Sequence, residues 1–169
     1  MPDFLIPGDA GERERFERLV VRGPDPDDCH IWRGAIADDG YGRFWVTRDD
    51  HPRVLRPHRY ALALALGEPL APTVVAMHLC DNPVCVRAEP REALGDRGSH
   101  VVAGTQAENL AGMGAKGRGG GHGLPWRWVG MTREMRAARS RALRDAVRDG
   151  WDAEAVRAAL LSSDQPTLF

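Results

Sequence analysis

The chain lacks the features that mark membrane, secreted and repeat proteins. None of its 169 residues belongs to an apolar run that approaches membrane-spanning length. The first residues have neither the basic start nor the long apolar centre of a signal peptide. No internal repeat suggests a solenoid. We therefore expect one globular domain with an appendage, in the cytoplasm and without membrane association.

Cysteine is also scarce. The chain has three cysteines, Cys29, Cys80 and Cys85, and an odd number cannot all pair as disulfides. A protein inside the cell would keep them reduced, so thiolates that hold a metal ion are favoured over disulfides. Cys80 and Cys85 are separated by four residues, and His100 follows them, which is a pattern that suits a metal site better than a hydrophobic core.

An excess of positive charge is missing as well, since the formal net charge is −1. The charge is unevenly distributed, however. Residues 111–150 contain nine basic and three acidic residues, whereas the first thirty residues contain four basic and eight acidic ones. This asymmetry permits a phosphate-facing surface in the second half of the chain, although a solvated helix face would give the same pattern.

The hydrophobic pattern predicts an α+β fold with a small antiparallel sheet. An amphipathic helix is predicted over residues 11–22, then two aromatic-rich strands around a turn at residues 37–40 and a third strand at 53–56. An apolar helix follows from His58 to a terminal Gly67. The C-terminal part is predicted to hold an arginine-rich helix over residues 132–148 and a second helix up to Leu161.

The central stretch, residues 75–118, carries most of the chemistry. A buried strand should end at His78, a long irregular loop should follow, and a short strand at 101–104 should lead into a helix that opens with the capping box Thr105 to Glu108. This order predicts a ββα unit with Asn109 in the helix. Neutral histidine is a suitable general base at physiological pH, and an asparagine carbonyl is a suitable ligand for Mg²⁺.

Several motifs in this stretch resemble the HNH, or His-Me finger, endonucleases, with the His-Cys-box and phage-type HNH homing endonucleases as the nearest branch. The similar segments are His78 to Arg87 (HLCDNPVCVR), Ser99 to Asn109 (SHVVAGTQAEN) and Lys116 to Arg118 (KGR). Three upstream segments, 29–32, 39–43 and 58–60, also match. The resemblance covers about residues 29–118 and implies a zinc-braced ββα-metal motif.

The resemblance implies a role for each of these positions. His78 would activate water, and Asn109 would bind a catalytic Mg²⁺ or Mn²⁺ ion. Cys80, Cys85 and His100 would bind a structural Zn²⁺ ion, with Cys29 completing a closed tetrahedral site. Two positions depart from the family pattern: Met77 replaces a common aspartate, and residues 88–98 are inserted before His100, which leaves His30 as a reserve ligand.

The expected partner is double-stranded DNA, and the expected activity is metal-dependent hydrolysis of its phosphodiester backbone. Candidate phosphate contacts are Arg43, Arg59, Lys116 and Arg118. A zinc-stabilised DNA-binding module without cleavage activity is the alternative. The last residues resemble short peptides that bind the bacterial sliding clamp, which makes the clamp a second candidate partner through Gln165, Leu168 and Phe169.

The expected organisation has five parts. Residues 1–28 form an N-terminal helix and acidic turn, and residues 29–118 form the endonuclease domain. A Gly-rich linker over 119–130, a basic helical extension over 131–163 and a tail over 164–169 complete the chain.

Overall fold

The computed structural model describes residues 4–90, 98–115 and 131–161, with side chains described up to residue 112 in the second range. Within these ranges the protein is α+β, as predicted, with small antiparallel sheets and five helices. The linker, Lys116, Arg118 and the three tail residues Gln165, Leu168 and Phe169 lie outside the described residues. No helix in the described part of the chain is long and apolar enough to cross a membrane.

The N-terminal region contains a helix and a strand where a single helix was predicted. Helix α1 spans Ala10–Glu17, with Asp9 as its N-cap, and strand β1 then spans Val20–Arg22. Strand β1 pairs antiparallel with β2, His30–Trp32. The helical prediction over residues 18–22 was wrong because Val20 and Val21 are β-branched and find a partner strand that local periodicity could not reveal.

Of the two aromatic-rich strands predicted around the turn at residues 37–40, the second is formed, whereas the first is divided between β2, which pairs with β1, and a short strand of a three-stranded sheet. Strand β3, Ala35–Ile36, pairs with β4, Gly42–Arg48, across the predicted turn. Strand β5, His51–Leu55, pairs with the other edge of β4 and begins two residues earlier than predicted. Asp49 and Asp50 both have positive φ angles and form the two-residue turn between β4 and β5.

Helix α2, Pro57–Leu66, confirms the predicted apolar helix. Proline stands at its first turn, where no intrahelical N–H is needed. Gly67 ends it with φ 67°, and its N–H donates to the carbonyls of Ala63 and Leu64. Most of its first two turns are buried, and the helix packs against the strands of the central stretch.

The central stretch begins and ends as predicted. Strand β6, Val75–His78, pairs antiparallel with β7, Val101–Gly104, and His78 lies opposite Val101. Helix α3, Gln106–Ala115, follows β7 and packs against β6. The capping box is formed: Thr105 Oγ1 accepts the N–H of Glu108, and the Glu108 carboxylate accepts the N–H of Thr105.

The two C-terminal helices pack into the same hydrophobic core as the N-terminal helix. Helix α4 spans Arg133–Ala146 with Thr132 as its N-cap, and helix α5 spans Ala153–Leu161. Their apolar residues join a cluster built on closely packed aromatic rings, in which the ring centroids of Phe16 and Tyr60 are 4.7 Å apart. The cluster contains Phe16, Ile31, Trp32, Phe44, Val46, Tyr60, Ala61, Val84, Val86, Leu143, Val147, Val156 and Ala159.

A buried carboxylate ties helix α1 to this core. The side chain of Glu12 is 9% exposed and forms an ion pair with Arg48. It also accepts hydrogen bonds of 2.8 Å from the Tyr60 hydroxyl and from the N–H of Gly8. Burial alone would raise the pKa of Glu12, but the bonds from Arg48, Tyr60 and Gly8 outweigh it, so the pKa lies below its ordinary value of 4.5.

Glu12→Gln should lower the free energy of unfolding by about 2 kcal/mol at neutral pH, because it weakens several hydrogen bonds to a charged acceptor. The stabilisation by Glu12 is complete above pH 4.5 and is lost as the pH falls through its lowered folded pKa. The difference in the free energy of unfolding between wild type and Glu12→Gln, measured with urea, should therefore become smaller in acid. Glu14→Gln, which breaks an exposed pair with Arg18, is the matched control and should change stability by less than about 1 kcal/mol. A similar loss in both variants would contradict this account.

Candidate functional site

The three cysteines and His100 form one cluster. The donor atoms of Cys29, Cys80, Cys85 and His100 all lie within 4.8 Å of one another. His100 Nδ1 is 3.5 Å from Cys29 Sγ and 3.7 Å from Cys85 Sγ. His30 is not a member of this group. The residues expected to bind the structural metal are therefore brought together, and the reserve ligand is not needed.

Strand pairing explains how Cys29 reaches a loop that follows it far along the chain. Residues 84–86 run beside β2, with Ile31 opposite Cys85. The N–H of Trp32 donates to the Val84 carbonyl, and the N–H of Val86 donates to the His30 carbonyl, each at 2.8 Å. Cys29 lies at the start of β2, so this pairing places its thiol beside that of Cys85.

Arg87 explains how His100 reaches the cluster in spite of the insertion at residues 88–98. The Arg87 carbonyl accepts the N–H groups of His100 and Val101, at 2.9 and 2.8 Å. Its buried guanidinium donates to the carbonyls of Pro26 and Asp28, next to Cys29. Arg87 thus joins the segments that carry Cys29 and His100.

The thiols are close enough to perturb one another strongly. Hydrogen bonds from Cys29 and Cys85 hold the pKa of Cys80 well below its ordinary value. The bond to Cys80 raises the pKa of Cys29, and burial raises that of Cys85. Three thiols in contact cannot all ionise unless a cation lies between them. A Cys₃His set is the ligand chemistry of structural zinc, so this group could hold a zinc ion.

Asn82 supports the cluster and was not identified from the sequence. It is fully buried, its amide lies 3.7 Å from Cys29 Sγ, and its carbonyl oxygen accepts the N–H of Val84 at 3.2 Å. An amide that donates to a sulfur ligand fixes the position of that ligand. The Asn-Pro step inside the loop is the sequence signal for such a turn.

His78 lies at the end of β6, beside the cluster but outside it. Its Nε2 is 2.9 Å from the Cys85 carbonyl oxygen. A carbonyl can only accept, so Nε2 carries a proton and donates it. Burial lowers the pKa of His78 below its ordinary value of 6.5, which favours the neutral ring. In that neutral tautomer Nδ1 is an unprotonated nitrogen able to accept a proton.

The helix that carries Asn109 packs against the strand that carries His78. Asn109 is half-buried in the first turns of α3, and its N–H donates to the Thr105 carbonyl at 3.0 Å. Met77, one residue before His78, faces the start of this helix. A Cβ atom on Gly104 would lie 2.3 Å from Met77 Cε, which shows how closely the Met77 side chain packs on Gly104.

The two described candidates for phosphate contacts differ in their surroundings. Arg43 is exposed on β4, and its side chain has no hydrogen bond or ion pair to the described part of the chain. Arg59 donates to the main-chain carbonyls of Val74 and Ala71 and so fastens α2 to the segment before β6. Arg33 and Arg136 likewise donate to main-chain carbonyls of other segments. Many arginines of this chain therefore have structural partners, which the charge pattern alone did not indicate.

Comparison with known proteins gives one partial similarity. The chain is 34% identical over 92 residues to Protein 7.7 of Escherichia phage T7. The aligned part is 54% of this chain and 59% of the phage protein, so the chain spans less than two thirds of that relative. No family model matches the chain, and no solved structure matches it.

Proposed function

We propose that the protein is a metal-dependent endonuclease of the HNH type that hydrolyses the phosphodiester backbone of double-stranded DNA. The observation that carries this proposal is the hydrogen bond from His78 Nε2 to the Cys85 carbonyl. It selects the tautomer with an unprotonated Nδ1, and it anchors that ring to a segment that the Cys₃His cluster holds in place.

The order of elements supports the same proposal. Strand β6 ends at His78, strand β7 pairs with it, and helix α3 packs back onto β6. A ββα unit of this kind presents a base from the strand and a metal ligand from the helix on one small scaffold. We infer that this unit, with the cluster beside it, is the zinc-braced ββα-metal motif that the sequence motifs predict.

In the proposed reaction His78 Nδ1 accepts a proton from the water molecule that attacks the phosphorus atom. The Cys85 carbonyl stabilises the resulting imidazolium through the bond to Nε2–H. Asn109 offers one hard oxygen ligand, and the remaining coordination sites of a Mg²⁺ ion are suited to water and substrate phosphate oxygens. When bound there, the ion would stabilise negative charge on the leaving 3′ oxygen.

A second function is favoured by one observation. Met77 occupies the position before the proposed base where the HNH endonucleases that the motifs resemble commonly have a metal-binding aspartate, and its side chain packs on Gly104 instead of offering an oxygen. A protein with so few metal ligands could bind DNA through its zinc-braced scaffold without cutting it. This alternative predicts DNA binding that is independent of Mg²⁺ and has no cleavage product.

Incubation with supercoiled plasmid should distinguish the two functions. We expect the purified protein to convert supercoiled DNA to nicked or linear forms in the presence of Mg²⁺ or Mn²⁺. EDTA used briefly, under conditions where the zinc content stays unchanged, should stop the reaction, because the catalytic ion exchanges faster than a closed cysteine-ligated zinc. Binding in a gel-shift assay without any cleavage at any divalent-metal concentration would favour the alternative.

A further inference from the structure

Three rings meet at the end of β6. The centroids of the His58 and His78 rings are 4.7 Å apart with an interplanar angle of 51°. Tyr41 lies against both histidines, with its ring centroid 5.3 Å from that of His58 and 6.1 Å from that of His78. His58 is 8% exposed, and no step of the proposed reaction uses it.

The rings that surround His78 are themselves held firmly. Arg56 forms a two-bond ion pair with Asp39, at 3.1 and 2.6 Å, and its guanidinium lies 5.1 Å from the centre of the Tyr41 ring. The Asp39 carboxylate also accepts the N–H of Tyr41 at 3.1 Å. His58 is fixed by its place in the first turn of α2, directly after Pro57.

We propose that His58 is a positioning residue for the candidate base: its ring, with that of Tyr41, forms a wall that fixes the plane of the His78 imidazole. The inference rests on the proposed function for its catalytic consequence. A single hydrogen bond at Nε2 leaves the plane of the His78 ring free to turn. The same hydrogen bond, together with packing against the rings of His58 and Tyr41, holds the His78 ring in one orientation. Nδ1 is then directed at one position, as proton transfer requires.

The surroundings of His58 favour an uncharged imidazole ring. Burial, together with His78 and the nearby Arg56 and Arg59, lowers the pKa of His58 well below its ordinary value. The start of α2 adds the positive end of the helix dipole. A ring that stays neutral can pack closely against His78 without repelling it, and this role needs the shape of the ring more than its nitrogen atoms.

Kinetics of His58 variants test the proposal on the zinc-loaded protein with an oligonucleotide substrate and Mg²⁺. His58→Ala should lower kcat by about 10- to 100-fold with little change in KM, because a misaligned base slows the chemical step and not binding. His58→Phe restores an aromatic wall and should recover most of the lost kcat. Leu64→Ala, in the same helix and packed on the main core, is the matched control and should affect thermal stability without affecting kcat.

A second readout does not depend on cleavage. Long-range ¹H–¹⁵N spectra at pH 8, where the rings are neutral, should show His78 in the single Nε2–H form in the wild type and in His58→Phe. In His58→Ala the same nitrogen signals should move towards the average of the two tautomers. If the wild type does not cut DNA, the proposed function fails while these spectra still decide the positioning role.

Two results would overturn the inference. One is unchanged kcat and unchanged His78 signals in His58→Ala. The other is an equal loss of kcat in His58→Phe and His58→Ala at equal zinc content, because that would assign the effect to the imidazole nitrogen atoms instead of the ring wall.

Discussion

Cys85→Ser is expected to abolish tight zinc binding and to unfold the central part of the protein. Cys85 is fully buried and lies between Cys29, His100 and the strand that carries His78. Binding of structural zinc by such ligands contributes roughly 10 kcal/mol or more to folding, which is comparable with the whole stability of a domain of this size. Metal analysis should find one zinc per chain in the wild type and none held tightly by the variant. Circular dichroism and thermal melting should show the loss of folded structure in the variant.

Val86→Ala is the matched control for this variant. Val86 is 4% exposed, follows Cys85 directly and donates its N–H to β2, but it offers no metal ligand. The loss of buried methyl groups should lower the free energy of unfolding by about 1 to 3 kcal/mol. The zinc content should stay at the wild-type level. A wild-type protein without zinc after reconstitution, or a Cys85→Ser variant that melts like the wild type, would contradict the assignment of the cluster as a structural metal centre.

His78→Ala should reduce the rate of DNA cleavage by roughly 100- to 10,000-fold, the range expected for loss of a general base. Zinc content should stay at the wild-type level, because His78 is not among the four residues of the cluster. The variant loses one hydrogen bond to the Cys85 carbonyl and some packing, so a modest fall in melting temperature is expected as well. The measurement is the initial rate of plasmid nicking at saturating Mg²⁺.

His51→Ala provides the control for this second prediction. His51 is exposed on β5, at the turn that follows β4, and has no part in the cluster or the ring wall. Its removal should leave both the cleavage rate and the zinc content unchanged. Equal slowing by His51→Ala and His78→Ala would point to a general effect of histidine removal and not to a base at position 78.

The cluster and His78, the proposed base, are linked through one residue. The side chain of Cys85 belongs to the cluster, and its main-chain carbonyl holds His78. Displacement of the Cys85 segment would therefore misplace the base even if His78 itself were intact. This linkage gives a physical reason for the Cys85 segment to be held beside the proposed base.

Local pattern was enough to predict the elements that depend on near neighbours in sequence. The capping box at Thr105 and the glycine cap at Gly67 are set by interactions within a few residues, and both are present. The strand that ends at His78 was predicted from its short apolar run and is present as well, although its partner strand lies more distant in sequence. The membership of Cys29 and His100 in one cluster came from the family resemblance, because it depends on pairing of β2 with residues 84–86 and on Arg87.

The remaining features could not be read from spacing. The strand at residues 20–22 exists because β2 pairs with it, and the ring wall of Tyr41 and His58 forms only when the turn before β4 and the start of α2 meet β6. The direction of the Arg59 side chain, towards carbonyl groups of the segment before β6, is likewise a property of packing. The sequence shows that position 59 carries a positive charge, but it does not show that the partners of this side chain are main-chain carbonyls.

Plasmid cleavage by wild-type protein and His78→Ala, at equal zinc content and with added Mg²⁺, is the decisive experiment on the role of His78. We expect nicking by the wild type that requires the added ion, and a cleavage rate at least about 100-fold lower in the variant. Cleavage by His78→Ala at the wild-type rate would contradict the assignment of His78 as the base.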